Sequence, residues 1–172
     1  LLLQLTAGQN IALVTDAGTP GVSDPGAVVV DFVRQAGVKV VPIPGASAVI
    51  AALSASGISQ NGFLFHGFLP ASGAARRKAL DILKIQTVTL VFYEAPHRII
   101  ESIVDMANVL GPDRRITIAR EITKTFETIH CCTLRDAEVW LKADANQQRG
   151  EFVLLVEAPT IKDVGEVSEE AV

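Results

Sequence analysis

Apolar runs alternate with amphipathic segments along the whole chain. In its first third, the runs at 10–15 and 38–43 have the length and composition of buried strands. Each run is followed by a helical pattern, at 25–36 and at 46–55. Because strand and helix alternate through short links, this part is predicted to form a parallel sheet covered by helices.

The remaining two thirds continue the alternation with more strands. Apolar residues after Pro96 recur at the i, i+3, i+4, i+7 spacing that is typical of a helix packed on a core. Strands are predicted at 63–67, 87–93, 115–119, 126–131 and 151–156, and helices at 76–84, 96–110 and 134–142. The pattern therefore predicts an α/β fold.

A polar joint at 58–62 suggests where one domain ends and the next begins. We predict a first α/β domain over 1–60, a second over 61–158, and an acidic, disordered tail over 159–172. The chain has no initiator Met, and residues 1–5 read as the end of a helix. We therefore interpret the chain as a piece of a longer protein whose first domain is truncated at its amino terminus.

Composition narrows the class of protein. The chain is 49% hydrophobic with a net charge of −4, which favours a folded domain over a disordered chain or a basic nucleic-acid arm. Its apolar runs are shorter than the roughly 20 residues of a membrane helix, so we expect no membrane partner. Cys131 and Cys132 are adjacent, a spacing that favours neither a disulfide framework nor a metal site and that suits a reducing cytoplasm.

The segment 11–26 draws attention because a strand pattern leads directly into a stiff loop and then a helix. From Gly18 to Gly26 the loop holds three glycines and two prolines in nine residues. Glycines permit positive φ and close approach of a ligand to the backbone, and Ser23 or Asp24 is expected to cap the helix. The loop lacks the features of a phosphate loop or a dinucleotide fingerprint, so a plain strand-to-helix connection and a ligand loop both stay open.

Two further junctions gather chemical groups at the ends of predicted strands. Residues 93–98 combine Glu94, His97 and Arg98, and 120–124 combine two bases with Glu121. Each group is either a site edge or an ordinary feature, helix capping in the first case and a surface ion pair in the second. The adjacent bases Arg76, Arg77 and Lys78 form either a solvated helix face or a phosphate contact. His66, His130, Met106 and Trp140 are expected to be core or near-core residues.

Charge is unevenly distributed. Residues 76–124 carry nine Lys or Arg and six Asp or Glu, an excess of three positive charges within an acidic chain. A local basic face is what binding to nucleic-acid phosphates requires.

Six motifs in a fixed order resemble the tetrapyrrole methylase family. They lie at 16–26, 42–48, 65–70, 92–98, 119–124 and 149–153, and together the resemblance covers about residues 8–158. Within that family the motifs look like those of enzymes that methylate the 2′-oxygen of a cytidine ribose in 16S ribosomal RNA. The resemblance implies two α/β domains, S-adenosyl-L-methionine as cofactor, a homodimer, and the small ribosomal subunit as partner. The family's amino-terminal strand and helix are absent from this sequence.

The resemblance also implies roles for particular residues. The residues expected to line the cofactor site are Asp16, Ala17, Gly18, Thr19, Pro20, Ser23, Asp24, Ser47, Ala48, Phe92, Tyr93 and Thr123. The candidates for a general base, or for orienting the ribose, are Glu121, Glu94 and His97. The expected RNA contacts are Arg76, Arg77, Lys78, Arg98 and Lys124. No metal is expected to take part.

Two alternatives remain open. One is a family member that methylates a tetrapyrrole or corrin precursor, against which the basic excess at 76–124 argues. The other is a non-catalytic module that binds S-adenosylmethionine or RNA.

Overall fold

The structure of the protein is a computed structural model that describes residues 1–16, 18–23, 25–59 and 62–159. It divides into two compact units, residues 1–48 and the chain from Val49 onward. The predicted domain boundary at 60 stays a prediction. The predicted cofactor residues Ala17 and Asp24, and nearly all of the predicted acidic tail, lie outside the described residues.

The second unit is built on a five-stranded mixed sheet. Its strands are β1 (Phe63–Phe68), β2 (Thr89–Glu94), β3 (Arg115–Arg120), β4 (Thr128–Thr133) and β5 (Phe152–Val156). Their spatial order is β1-β2-β5-β3-β4. Only β1 and β2 pair in parallel, while β5 runs antiparallel to both β2 and β3. The chain therefore returns at its end to fill the centre of the sheet, where all five residues of β5 are buried.

Both faces of this sheet are covered because side chains alternate along each strand. On one face, Leu90 and Leu154 join a core that includes residues from three helices, α4 (Gly73–Leu83), α5 (Ile99–Leu110) and α6 (Leu134–Ala143). On the other face, Val91 and Leu155 pack with Val49 and Ala52 of α3 (Ala48–Ser56). The small side chains of α3 allow close packing on the sheet. Because helices cover both faces of the sheet, the α/β architecture predicted for the second half is confirmed.

The first unit differs from its prediction. It contains the helices α1 (Leu2–Thr6) and α2 (Ala27–Gln35), but its described residues form no strand. The segments expected to be strands, 10–15 and 38–43, form no helix or strand and are largely exposed, with Val14 78% and Ile43 76% accessible. A strand needs a hydrogen-bonded neighbour, and an isolated pair of strands is marginal in water. The parallel sheet and the buried strand expected here are thus wrong for this structure.

The start of α2 also corrects a prediction. Its N-cap is Gly26, with φ of +132°, in place of Ser23 or Asp24. A glycine suits this point because L side chains rarely adopt a φ of +132°. Among the described residues, no helix combines the length and apolarity that crossing a bilayer requires.

Candidate functional site

In the first unit, two of the predicted cofactor motifs meet. The Thr19 hydroxyl donates a hydrogen bond of 3.1 Å to the Ala46 carbonyl oxygen, which ties the glycine loop to the segment after Pro44. A Cβ at Gly18 would lie 3.7 Å from that same oxygen, and a Cβ at Gly45 would lie 3.7 Å from Thr19 Oγ1. The backbone of Gly18 therefore lies close to the segment after Pro44, and the backbone of Gly45 lies close to the glycine loop.

This loop pair has the character of a site that binds a ligand through its backbone. Gly18 has a φ of +74° and, with Asp16 and Thr19, is exposed. Pro20 and Ser47 are half-buried, and Ala48 is exposed at the start of α3. Because the glycines carry no side chains, a ligand can approach the peptide groups closely. The residues present fit a cofactor held by backbone groups, as the resemblance implied.

A depression of about 320 Å³ also borders this loop, on its α2 side. Pro20, Gly21, Asp31 and Arg34 contribute to its lining. The segment 44–48 does not, so this depression differs from the place where the two predicted motifs meet.

In the second unit, Glu94 corrects its predicted role as a base. It is only 3% exposed, and Oε1 accepts hydrogen bonds from the Arg98 guanidinium at 2.6 and 2.9 Å and from the Ala95 N–H at 2.8 Å. The Ser102 hydroxyl donates to Oε2. Both oxygens are thus engaged, and the carboxylate anchors the start of α5 to the end of β2. Arg98 is held in the same pair, with its side chain 16% exposed, which leaves little of it for a phosphate.

The three other predicted residues of this junction separate. Phe92 is fully buried in the core beneath α4, α5 and α6, so its side chain is not exposed to a ligand, and its predicted place beside the cofactor stays a prediction. Tyr93 points to the opposite face of the sheet and packs edge-to-face against Phe65 and Phe68. His97 is exposed. Alternation along β2 therefore places Phe92 and Tyr93 on opposite faces of the sheet.

Glu121, the second predicted catalytic carboxylate, is held in a turn by its neighbours. Its Oε1 accepts hydrogen bonds from Lys124 Nζ at 2.8 Å and from the Glu151 N–H at 2.9 Å. Lys124 also pairs with Glu151 Oε2 at 2.8 Å. Both Glu121 and Thr123 adopt positive φ, +51° and +65°, a conformation that is uncommon outside glycine. The turn is thus held by its partners in a backbone shape that it would otherwise avoid.

This arrangement has an electrostatic consequence. The hydrogen bond from Lys124, followed by that from the Glu151 backbone, lowers the pKa of Glu121 below its ordinary value of 4.5. The hydrogen bonds to Glu121 and Glu151 raise the pKa of Lys124 above 10.5. At neutral pH the pair is therefore an ion pair, and the surface ion pair considered for this motif is present.

We expect the titration of Glu121 to report this pair. A carboxyl whose folded pKa is lowered stabilises the fold above its unfolded pKa, and this contribution is lost as pH falls through the folded pKa. Carbon-13 NMR of the Glu121 carboxyl should give a midpoint below 4.5, and Lys124→Met should move it upward. Lys142→Met, which removes the partner of Glu138, serves as the control and should leave Glu121 unchanged. A titration midpoint that Lys124→Met leaves unchanged would contradict the ion pair between Glu121 and Lys124.

The basic run at 76–78 is also corrected. Arg76 is 2% exposed, and its Nε donates to Asp105 Oδ2 at 2.6 Å, so it belongs to the packing between α4 and α5. Arg77 is half-exposed but donates to Asp105 Oδ1 at 3.1 Å, and Lys78 is exposed. The expected cluster of three phosphate-binding bases is therefore reduced to Lys78 and part of Arg77.

Histidines and cysteines add little chemistry. His66 is exposed, which corrects its expected core position, and His130 is half-buried and stacked on Trp140 with 4.1 Å between the ring centroids. Met106 is fully buried, as predicted. Burial raises the pKa of the Cys132 thiol to about 11, so this thiol stays protonated and unreactive at neutral pH.

No group of three His, Cys, Asp or Glu suited to a metal ion occurs among the described residues.

Sequence reasoning missed a cleft of about 580 Å³ beside Glu121. Its lining includes Arg120, Phe126, Asn146 and Arg149. Phe126 was assigned to a strand, whereas β4 begins at Thr128 and leaves the ring 70% exposed. The signal that could have indicated this cleft was an apolar aromatic residue among charged residues, close after a motif.

Comparison with known proteins finds a matching family and named relatives. Residues 1–138 match the family model described as tetrapyrrole (corrin/porphyrin) methylases. Curated relatives named ribosomal RNA small subunit methyltransferase I match at 44–53% identity. The one from Vibrio cholerae is 53% identical over 167 residues, which is 96% of this chain and 57% of that protein. The chain spans between 54% and 62% of the length of these relatives.

Solved structures share the fold. The methyltransferase CobJ superimposes with a TM-score of 0.67 at 22% identity, covering 91% of this chain and 68% of that one. A uroporphyrin-III C-methyltransferase from Thermus thermophilus, complexed with S-adenosylhomocysteine, superimposes with a TM-score of 0.53 at 17% identity, covering 80% of this chain and 62% of that one. The family match extends over most of the chain and includes the loop pair and the Glu121 turn. The chain belongs to the tetrapyrrole (corrin/porphyrin) methylase family.

Proposed function

We propose that this protein transfers a methyl group from S-adenosyl-L-methionine to the 2′-hydroxyl of a cytidine ribose in 16S ribosomal RNA. The observation that carries the proposal is the identity of about half of all aligned residues to proteins named ribosomal RNA small subunit methyltransferase I. Because the chain spans little more than half of those proteins, the proposal concerns the whole protein. Its partner is the small ribosomal subunit, and it acts as a homodimer in the cytoplasm.

The loop pair in the first unit is proposed to hold the cofactor. Peptide groups of Gly18, Thr19 and Ser47, together with Pro20 and Ala48, would surround it, and Asp16 lies beside them in sequence. The hydrogen bond from Thr19 to Ala46 supports this role because it fixes the two segments relative to each other before a ligand arrives. The cofactor supplies an electrophilic methyl group on a sulfonium.

The Glu121 turn is proposed to position the ribose. A lowered pKa makes Glu121 a hydrogen-bond acceptor that is ionised at neutral pH and a weak proton acceptor, so it suits orientation of a hydroxyl better than proton removal. Alignment of the attacking oxygen alone can supply several kcal/mol of rate. Thr123 lies in the same turn, and the exposed His97 remains the candidate for receiving the proton.

The experiment that tests this function is methyl transfer from labelled S-adenosylmethionine by the full-length protein. Acceptors are assembled 30S subunits that lack the modification, naked 16S rRNA, and uroporphyrinogen. We expect label in a single cytidine 2′-O-methyl of the subunit, and a single-turnover rate at least about tenfold lower for Glu121→Gln. Glu138→Gln, which also loses an ion pair with a lysine, is the matched control and should keep the wild-type rate.

Each other result would point elsewhere. Label in uroporphyrinogen alone would move the protein to tetrapyrrole methylation. Cofactor binding without label in any acceptor would favour the non-catalytic module. Wild-type rates for Glu121→Gln would remove Glu121 from the mechanism while leaving the reaction itself in place.

A further inference from the structure

We propose that the cleft beside Glu121 binds one unpaired nucleotide of the RNA, with its base stacked on Phe126 and its phosphate at Arg149. This inference rests on the proposed function, because it names the part of the substrate that this region of the second unit recognises. The cleft, of about 580 Å³, falls in the size range of small-molecule sites.

Arg120 builds the frame of the cleft. Its Nη1 donates to the carbonyl oxygens of Asn146 and Arg149 at 3.2 and 3.3 Å. Its Nη2 donates to the carbonyl oxygen of Phe126 at 3.0 Å and to Thr128 Oγ1 at 3.1 Å. One guanidinium thus connects both rims, so the cleft is held open by hydrogen bonds and needs no ligand to form. Arg120 is accordingly a positioning residue.

Phe126 supplies an aromatic surface in a fixed place. Its ring is 70% exposed, although burial of a phenylalanine would ordinarily stabilise the fold. Its backbone is held by Arg120, and the adjacent Glu127 accepts a hydrogen bond of 2.6 Å from the Thr123 N–H. Proteins that bind single-stranded nucleic acid stack bases on such exposed aromatics, because every base has a π face.

Arg149 is the basic group of the cleft that is exposed to a phosphate. The four hydrogen bonds of Arg120 all go to neutral oxygens, and its charge acts on the neighbouring Glu121 carboxylate. The lining also holds two carboxylates: Glu121 is paired with Lys124, whereas Asp144 keeps its charge and accepts from the Asn146 N–H at 2.8 Å. Arg149 is exposed, and within the part of the chain that the structure describes its guanidinium donates one long bond, 3.5 Å, to Asn146 Oδ1. Its guanidinium is therefore available to an anionic group.

These features together favour an unpaired nucleotide over other ligands. A duplex presents its phosphates and hides its base faces, so it would make no use of Phe126. A simple anion would make no use of the aromatic ring either. Asn146 contributes a side-chain amide, which offers both a donor and an acceptor to a base edge.

The test is equilibrium binding of a fluorescently labelled single-stranded oligocytidine RNA to the full-length protein at several salt concentrations. Phe126→Leu should weaken binding roughly tenfold at every salt concentration, because stacking is lost and no charge changes. Phe126→Trp should retain wild-type affinity. Arg149→Gln should lower the slope of log affinity against log salt by about 0.7, the value for one phosphate contact to a single strand. Arg135→Gln, an exposed arginine paired with Asp113 on a different part of the unit, is the control.

The outcomes separate this inference from the proposed function. If wild-type protein methylates 30S subunits and both Phe126→Leu and Arg149→Gln bind oligocytidine as wild type does, the cleft is not the nucleotide site and the function stands. Absence of oligocytidine binding by active wild-type protein would also overturn the inference. If wild-type protein neither binds RNA nor methylates the subunit, the proposed function fails together with it.

Discussion

Replacing Asp105 with alanine should lower the free energy of unfolding by about 3–5 kcal/mol, the usual cost of removing one partner from a buried ion pair. Asp105 is 6% exposed and Arg76 is 2% exposed, and their side chains meet at 2.6 Å. Without Asp105, Arg76 retains Glu101 at 3.3 Å, whose side chain is 71% exposed and largely hydrated. The buried guanidinium would thus lose its buried counter-charge and keep only one that solvent screens.

Denaturant unfolding of the chain measures this effect directly. Asp113→Ala is the matched control, because Asp113 also pairs with an arginine but is 74% exposed, and its loss should cost no more than about 1 kcal/mol. The double replacement Arg76→Met with Asp105→Leu should recover most of the stability, since removing both charges leaves nothing buried and unpaired. A cost below 1 kcal/mol for Asp105→Ala would mean that water or Glu101 compensates Arg76 fully.

Replacing Gly150 with alanine should cost about 2–4 kcal/mol of stability and disrupt the Glu121 turn. Gly150 has a φ of +92°, and a Cβ there would lie 2.5 Å from the Glu121 carboxyl group. That carboxyl is held from two sides, by Lys124 and by the Glu151 N–H, so it has little room to move. The methyl group would therefore displace the side chain that we propose orients the ribose.

The control variant Gly57→Ala separates the strain of a positive φ from the clash with the Glu121 side chain. Gly57 also has a positive φ, +72°, but a Cβ there would meet no atom within 4 Å, so its replacement should cost only the conformational strain of about 1 kcal/mol. In the methyl-transfer assay of the full-length protein, the single-turnover rate of Gly150→Ala should be lowered, as that of Glu121→Gln is. The rate of Gly57→Ala should stay near that of wild type. Equal stability losses for the two variants would indicate that the contact with Glu121 relaxes freely.

Much of the second unit was predictable because its signals are local. Strand β3 was predicted at 115–119 and is observed at Arg115–Arg120, and the stripe after Pro96 became α5. Strand and helix periods are short-range properties, so a single sequence reveals them. The first unit shows where this fails: the runs at 10–15 and 38–43 have the composition of strands, but a strand also depends on a neighbour that local composition does not specify.

The candidate site was predictable only in part. The glycine loop and the 44–48 segment could be found as motifs, and the structure joins them through Thr19 and Ala46. The roles of Glu94 and Phe92 could not be predicted, because neighbouring positions on one strand point to opposite faces and the sequence does not say which face is covered by three helices. The cleft at Arg120 depends on residues from two distant segments, so no single motif contains it.

The sequence by itself determined the alternation of elements in the second unit, the glycine-lined loop and the family, since each depends on residue types at short spacing. Only the tertiary structure decided that Arg76 is a buried partner of Asp105, 29 positions away, and not a phosphate contact. It also decided that β5 fills the centre of the sheet and brings Gly150 against Glu121. The physical reason is that burial and pairing of charges depend on which distant segments meet, and that is settled by packing.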